Sequence, residues 1–302
     1  MDVAITGSSG LVGTALAAAL RADGHRVVRV VRGGTPSGDT VRWDLDAGTI
    51  DAAGLEGLDA VVHLAGAGIA DKRWTDERKA VVLGSRVQGT TLLARTLAGL
   101  DCPPPVLVSA SAVGWYGDRG SEELTEASGP PAKLDFPAEV CREWEAATAP
   151  AEAAGIRVVH LRTGIVQAAR GGMLGRLLLP FRFGLGGRVG SGRQWTSWIS
   201  LPDEVAVIRH VIDDPSLSGP VNATAPNPVT NREYTETLGR VLGRPTVLPT
   251  PLLPLRALYG SELVDTLLAG QRVLPAKLLG AGFTFAHSTL EEALRAVLDR
   301  PA

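Results

Sequence analysis

Two hydrophobic rhythms alternate along the first half of the chain. Short, nearly continuous apolar runs occur at Val3–Thr6, Val27–Val31, Ala60–Leu64, Val106–Ser109 and Ile156–Leu161. Runs of this length and Val/Ile/Leu content predict strands buried on both faces. Between them the apolar residues recur at helical spacing. "GLVGTALAAALRADG" sets Leu11, Val12, Ala15, Leu16, Ala19 and Leu20 on one face and stops at Gly24. A long amphipathic helix is predicted from Thr75 to Leu100, and another over "AEVCREWEAATAPAEAAG", with Pro150 near its end. Strands and helices in alternation predict an α/β fold, a parallel sheet with helices on both faces.

After about Gly164 the rhythm changes. Gly and Pro become dense in "RGGMLGRLLLPFRFGLGGRVGSGRQW", a strand-like "GPVNATAP" follows at Gly219–Pro226, and the tail from Arg244 is helical and punctuated by Pro. The expected division is a first domain over residues 1–165 that also takes in roughly 196–225. Residues 166–195 and 226–302 then form a smaller, mostly helical substrate-binding lobe.

Composition narrows the function classes. The chain has 302 residues, 45% hydrophobic and 21% charged, the profile of an ordinary globular protein. A net charge of −2 gives no electrostatic case for nucleic acid or an anionic membrane surface. Cys102 and Cys141 make no disulfide framework, and a reducing cytoplasm is the expected location. The opening "MDVAITGSSG" does not read as a signal peptide. The five His residues show no metal-ligand spacing, so no metal is expected.

"AITGSSGLVGTAL" carries the clearest chemistry. A short strand ends at Thr6, Gly7, Gly10 and Gly13 follow at intervals of three, and a helix begins. Gly7 permits a tight turn, Gly10 lets backbone approach a pyrophosphate, and Gly13 lets helix and strand pack closely. The segment Gly7, Ser8, Ser9, Gly10, Leu11, Val12 and Gly13 then offers free N–H groups and a positive helix end to phosphates. The context of strand, Gly-rich turn and helix makes the fold a Rossmann-type doubly wound sheet. An acid at the end of the second strand would grip the ribose hydroxyls of NAD. Here stands Arg32, able to pair with a 2′-phosphate, so NADP(H) is favoured over NAD(H). Asp44 and Leu45 fall beside the expected adenine, and Leu64, Ala65 and Gly66 leave the fourth strand as small residues that let the cofactor come close.

These residues resemble the short-chain dehydrogenase/reductase superfamily, in its extended, nucleotide-sugar-epimerase-like branch, through "TGSSGLVG", "HLAG", "SASAVGWYG" and "LRTGIV". The ordered set "KRW" with "SR", "CREWE", "FGLGG", "GSGRQWTSWI" and "NATAPNPVTN" looks like the atypical "epimerase family" proteins, sometimes labelled cell-division-inhibitor-like. It includes their uncharacterised C-terminal domain at about Pro245–Leu294. The resemblance spans essentially the whole chain. It implies NAD(P) binding, and Ser109 and Ser111 at the cofactor and substrate, with Ser111 as the substrate-orienting hydroxyl.

The resemblance also implies a Tyr followed four residues later by a Lys, and the sequence departs from it. Only Tyr116, Tyr234 and Tyr259 occur, and the residues four beyond are Gly120, Leu238 and Leu263. "KLDFPAEVCREWEAA" places Phe136 or Pro137 where the Tyr belongs and Cys141 where the Lys belongs. Tyr116 is then the best remaining proton donor, helped by Lys133, Arg142 or Arg86, and the alternative is an aromatic that lines the pocket. Arg162 braces the pocket or pairs with a structural carboxylate. Glu139, Glu143 and Glu145 read as mostly solvated. In "GRQWTSWISLPDE", Gln194 and Trp198 face the substrate, while Thr196 and Ser197 replace the Arg-Asp that clamps diphosphate in nucleotide-sugar enzymes. The expected binders of substrate are thus Arg86, Lys133, Arg162, Gln194 and Trp198. Two readings stand: an NADP(H)-dependent oxidoreductase or epimerase on a small molecule, and a non-catalytic NADP-binding sensor or partner-docking protein. The two amphipathic helices around Thr75–Leu100 and Ala138–Gly155 would also pair two copies of the chain.

Overall fold

The structure, a computed structural model, describes residues 1–33 and 39–299. The elements in order are β1 (Asp2–Thr6), α1 (Leu11–Ala22), β2 (Arg26–Val31), β3 (Thr40–Asp44), β4 (Thr49–Ile50), β5 (Ala60–His63), α2 (Asp76–Ala98), β6 (Val106–Ala112) and β7 (Glu123–Leu124). Then come α3 (Phe136–Ala146), α4 (Ala149–Ala153), β8 (Arg157–Thr163), β9 (Ile165–Gln167), α5 (Gly172–Arg182), β10 (Trp195–Thr196), β11 (Trp198–Ser200), α6 (Leu201–Asp213) and β12 (Gly219–Ala223). The chain ends with β13 (Val229–Thr230), α7 (Asn231–Leu242), α8 (Leu252–Tyr259), α9 (Ser261–Leu268), β14 (Arg272–Val273), α10 (Ala276–Gly280) and α11 (Leu290–Val297).

Eight strands form one sheet in the order β12-β8-β6-β5-β1-β2-β3-β4. All its pairings are parallel except β3 with β4. Strand order reverses between β1 and β5, the switch point where ligands of such sheets bind beyond the carboxyl ends of the strands. Alternation along each strand feeds two cores. Val3, Ile5, Val62, Val108, Leu161 and Val221 pack under Leu16 and Leu20 of α1 and Val207, Ile208 and Val211 of α6. Ala4, Val28, Val61, Leu107 and Val158 pack under Leu93 and Leu97 of α2 and Ala151 of α4.

The segment predicted as one helix over residues 138–155 is two. Helix α3 starts on an Asp135 cap, whose carboxylate accepts from the Ala138 N–H. It closes at Ala147, and α4 restarts with Pro150 in its first turn. Pro lacks an N–H and would clash with the carbonyl four residues back, so it opens a new helix rather than continuing the old one. The chain leaves the sheet through β9, builds α5, and returns through α6 and β12. A separate apolar cluster joins Leu174 and Phe181 of α5, Tyr234 and Leu238 of α7, and Leu290 and Leu294 of α11.

Candidate functional site

The first turn of α1 is shaped as an anion site. Gly7 has φ +65°, in the left-handed region, and a methyl there would lie 2.8 Å from the Leu64 carbonyl carbon and oxygen. A methyl at Gly13 would overlap the Gly7 carbonyl oxygen. Gly10 caps α1 with no side-chain hydrogen bond, and the first turn holds no acid. By contrast α2, α6 and α7 start on hydroxyl caps followed by acids in their first turns. The N–H groups and positive end of α1 thus meet neither a side-chain cap nor an acid of the helix's own first turn, which fits a dinucleotide's phosphates. Ser9 and Gly10 are exposed, Ser8, Leu11 and Val12 half-buried. Arg32 is exposed just after β2. Asp44 uses Oδ1 to accept from the N–H groups of Asp46 and Ala47, which fixes the turn between β3 and β4.

The other wall of the cleft rests on His63. Thr6 Oγ1 accepts from the N–H groups of Leu64 and Ala65, both at 3.1 Å, so its own proton goes to His63 Nδ1 at 2.7 Å. His63 Nε2–H then donates to Thr90 Oγ1 at 2.9 Å. Burial pushes His63 down to about 4, so the ring is neutral at pH 7 and its role is to hold the 64–66 loop. From α2, Arg86 reaches under this loop. Its Nη1 donates to the carbonyls of Ala67 and Val82, and its guanidinium lies 4.7 Å over the Trp144 ring.

Alternation places Ser109 and Ser111 of β6, His160 and Arg162 of β8, and Asn222 of β12 on the face that α3 covers. Ser109 Oγ is buried without a protein partner. The others join one network. Ser111 Oγ–H donates to Glu145 Oε1 at 2.7 Å. Arg162 clamps the same carboxylate through Nε and Nη2, both at 2.8 Å, and gives Nη1 to the Tyr116 oxygen at 3.1 Å. Tyr116 O–H donates to Asn222 Oδ1 at 2.7 Å, and Asn222 Nδ2 donates to the Leu274 carbonyl. The Arg162 guanidinium also stacks 3.6 Å from the Trp115 centroid.

This network corrects two expectations. Tyr116 is 0% exposed, its one proton is given to Asn222, and burial raises its pKa, so it is not placed to donate to a substrate. Trp198 is also 0% exposed, packed in the core of the α5–α7–α11 lobe with Nε1–H bound to the Asn227 carbonyl, and it offers no face to a ligand. Of the two alternatives for Arg162, pairing with a carboxylate is realised, and Glu145 is that carboxylate rather than a solvated one. Lys133 is exposed in the loop before α3. Gln194 is half-buried, donating to the Val189 carbonyl. Cys141 is buried near Ser111, and burial together with the Glu145 charge pushes its thiol up to about 12, so it is no nucleophile at neutral pH.

Sequence reasoning missed Glu145, Asn222 and His160. The usable signal was the alternation of β8, which puts His160 and Arg162 on one face and so calls for an acid opposite them. Among the described residues, no group of three or more His, Cys, Asp or Glu is placed to hold a metal ion, and no helix is long and apolar enough to cross a membrane.

Comparisons with known proteins agree with this geometry. Residues 3–223 match the NAD dependent epimerase/dehydratase family, and residues 250–297 match a domain of unknown function, DUF1731. The epimerase family protein Mb2239 of Mycobacterium bovis is 46% identical over 299 residues, covering 99% of this chain and 98% of that protein. The crystal structure of the human epimerase family protein SDR39U1 with NADPH superposes with a TM-score of 0.90 at 35% identity, covering 100% of both chains. MoeE5 in complex with UDP-glucuronic acid and NAD shares the fold, with a TM-score of 0.77 at 22% identity over 99% of this chain and 98% of that one. The Gly cradle at α1, the sheet order and these matches along nearly the whole chain lead to one conclusion: the chain belongs to the NAD dependent epimerase/dehydratase family.

Proposed function

We propose that the protein is an NADP(H)-dependent oxidoreductase or epimerase acting on a small molecule, working without a Tyr-x-x-x-Lys pair. The observation that carries this reading is the N-terminus of α1, without side-chain cap or first-turn acid, with its Gly cradle. The human relative, matched over the whole of both chains and with a structure that contains NADPH, and Arg32 just after β2 support the choice of NADP(H) over NAD(H). Gly7–Gly13 would hold the pyrophosphate, Leu64–Gly66 would border the nicotinamide half, and Arg32 would take the 2′-phosphate. Bound there, the nicotinamide supplies hydride exchange. Ser111 is the hydroxyl this reading assigns to that chemistry, and Arg86, over Trp144, is the cation beside the 64–67 loop.

The test of the cofactor reading is a fluorescence titration with NADPH and NADH. The wild type binds NADPH at least tenfold more tightly, and Arg32→Ala brings the two affinities together, a loss of roughly 1–2 kcal/mol for one charge-assisted phosphate contact. Equal affinities in the wild type would remove the NADP preference.

A second reading, a non-catalytic NADP-binding sensor or docking protein, is favoured by one observation, the full commitment of the Tyr116 proton inside the core. The first reading is preferred because positioning of reactants carries much of catalysis without a strong general acid.

A further inference from the structure

Two arginines are buried among the described residues, Arg86 and Arg162, and only one of them is neutralised. Arg162 is clamped on the carboxylate of Glu145. Arg86, 9% exposed, has no Asp or Glu within ion-pair reach; the ionisable groups that bear on it are Cys141 and a second cation, Arg78. Cys141 supplies no negative charge at pH 7, because burial and the Glu145 charge push its thiol up to about 12. The Arg86 charge is therefore uncompensated within the protein. Buried charges are normally paired, and an unpaired one is costly, so this cation calls for an anion from outside the chain.

The hydrogen bonds of Arg86 show where that anion would sit. Nη1 donates to the carbonyls of Ala67 at 2.9 Å and Val82 at 3.0 Å, which uses both of its N–H bonds. Nε and Nη2 donate to nothing among the described residues, and they are not among the occluded unpaired atoms, so their edge of the guanidinium is open. One face is covered by the Trp144 ring at 4.7 Å. The group lies against Gly66, in the loop that follows β5 at the switch point of the sheet: a methyl on Gly66 would sit 3.3 Å from Arg86 Cζ and 3.5 Å from Nη1. Gly66 itself is exposed, so the cation is one backbone thickness below the surface of that loop. Two more N–H donors on α2 and α3, Arg78 Nε and Trp144 Nε1, are occluded without an acceptor. This wall thus holds donors that want acceptors, which an oxyanion supplies. The Nε and Nη2 N–H bonds run parallel in one plane, the fork that grips a planar carboxylate with two bonds.

We propose that the open Nε–Nη2 edge of Arg86 binds a substrate carboxylate, so that the compound taken into this cleft is a small oxo acid. The chemistry of this inference rests on the NADP(H) oxidoreductase reading; the carboxylate site does not. In that reading the pyrophosphate and 2′-phosphate of the cofactor are assigned to α1 and Arg32, which leaves Arg86 to the substrate. The carbonyl carbon of the oxo acid takes hydride from the reduced nicotinamide and its oxygen takes one proton from water, leaving a hydroxy acid and the oxidised cofactor. The carboxylate keeps its charge throughout and serves only to fix the carbonyl in place.

The test is an NMR titration of the NADPH-loaded, 15N-arginine-labelled protein. Arg86→Gln or Arg86→Lys, whichever folds, assigns the Arg86 Nε–H signal by its disappearance. Oxamate, an unreactive mimic of a 2-oxo acid, and malonate are titrated beside their neutral esters, methyl oxamate and dimethyl malonate. A saturable shift of the Arg86 Nε–H with the carboxylates is expected, at an affinity on the order of 10- to 100-fold above that of the esters. Arg86→Gln loses this preference with NADPH affinity unchanged, and Arg86→Lys, which keeps the charge without the fork, recovers part of it. No saturable shift with either carboxylate, or equal affinity for the esters or for inorganic phosphate, overturns the assignment, and Arg86 is then only a brace of the 64–67 loop. The two readings fail separately. Reduction of neutral aldehydes or ketones without carboxylate binding at Arg86 removes the carboxylate site and keeps the oxidoreductase. Carboxylate binding at Arg86 with no NADPH oxidised by a panel of 2-oxo acids keeps the site and overturns its place in an oxidoreductase.

Discussion

At the scale of single residues, hydrogen-bond arithmetic decides roles that residue type alone leaves open. A tyrosine near a nicotinamide suggests an acid, yet the Tyr116 hydroxyl has one proton and Asn222 takes it. The partner lies 106 residues away in sequence, which is why no local motif announces it. Tyr116→Phe is therefore expected to act on stability. It leaves Asn222 Oδ1 and one Arg162 N–H short of a partner and costs about 1–3 kcal/mol in a denaturant melt, with NADPH affinity unchanged. An unchanged melt together with lost hydride transfer would return Tyr116 to the chemistry. Ser111 shows the complementary case. The serine was legible from "SASAVGWYG", but its orientation was not, because that depends on Glu145 across the α3 interface.

At the scale of elements, the strands and α1 were readable because apolar periodicity and Gly spacing are local properties. The break between α3 and α4 and the burial of Glu145 were not, since Glu139, Glu143 and Glu145 look alike until β8 is placed beside the helix. Trp198 illustrates the same limit: its place in "GRQWTSWISLPDE" suggests a ligand contact, and the packing of α5, α7 and α11 makes it core. The junction between sheet and lobe depends on Gly164, between β8 and β9. A methyl there would sit 2.8 Å from the Ser197 carbonyl oxygen and 3.0 Å from Thr224 Cγ2. Backbone cannot yield as a flexible side chain would, so Gly164→Ala is expected to cost about 1–3 kcal/mol as overpacking and to lower Tm by several degrees in a thermal scan. A Tm equal to the wild type would show that the crossing relaxes freely.

At the scale of the whole molecule, two buried titratable groups on opposite faces of the sheet give opposite pH dependences. His63 is lowered from 6.5 to about 4 by burial, so its contribution is complete above pH 6.5 and is lost as pH falls toward 4, about 3 kcal/mol in all. Glu204 is raised from 4.5 to about 8 by burial, Thr163 alone opposing through its hydrogen bond. The folded state then holds a proton that the unfolded chain has lost, so stability falls as pH rises from 4.5 to 8, on the order of 4 kcal/mol at pH 8. Between pH 4.5 and 6.5 the two slopes cancel, and a stability plateau is expected there. Glu204→Gln removes the alkaline limb: Tm at pH 8 rises by roughly 5 °C, and Tm at pH 5 hardly moves. A wild type whose Tm is flat from pH 6.5 to 8.5 would contradict a buried, protonated Glu204.

For the whole molecule, the proposed function is hydride exchange in this cofactor-shaped cleft without the Tyr–Lys pair. The most direct measurement incubates the protein with NADPH deuterated at C4 and a panel of small ketones, aldehydes and sugar nucleotides, and follows the label by mass spectrometry. Deuterium is expected in at least one reduced product, with matching loss from the cofactor. Saturating NADPH binding with the label retained in the cofactor across the whole panel would contradict it and leave a protein that binds NADPH without using it.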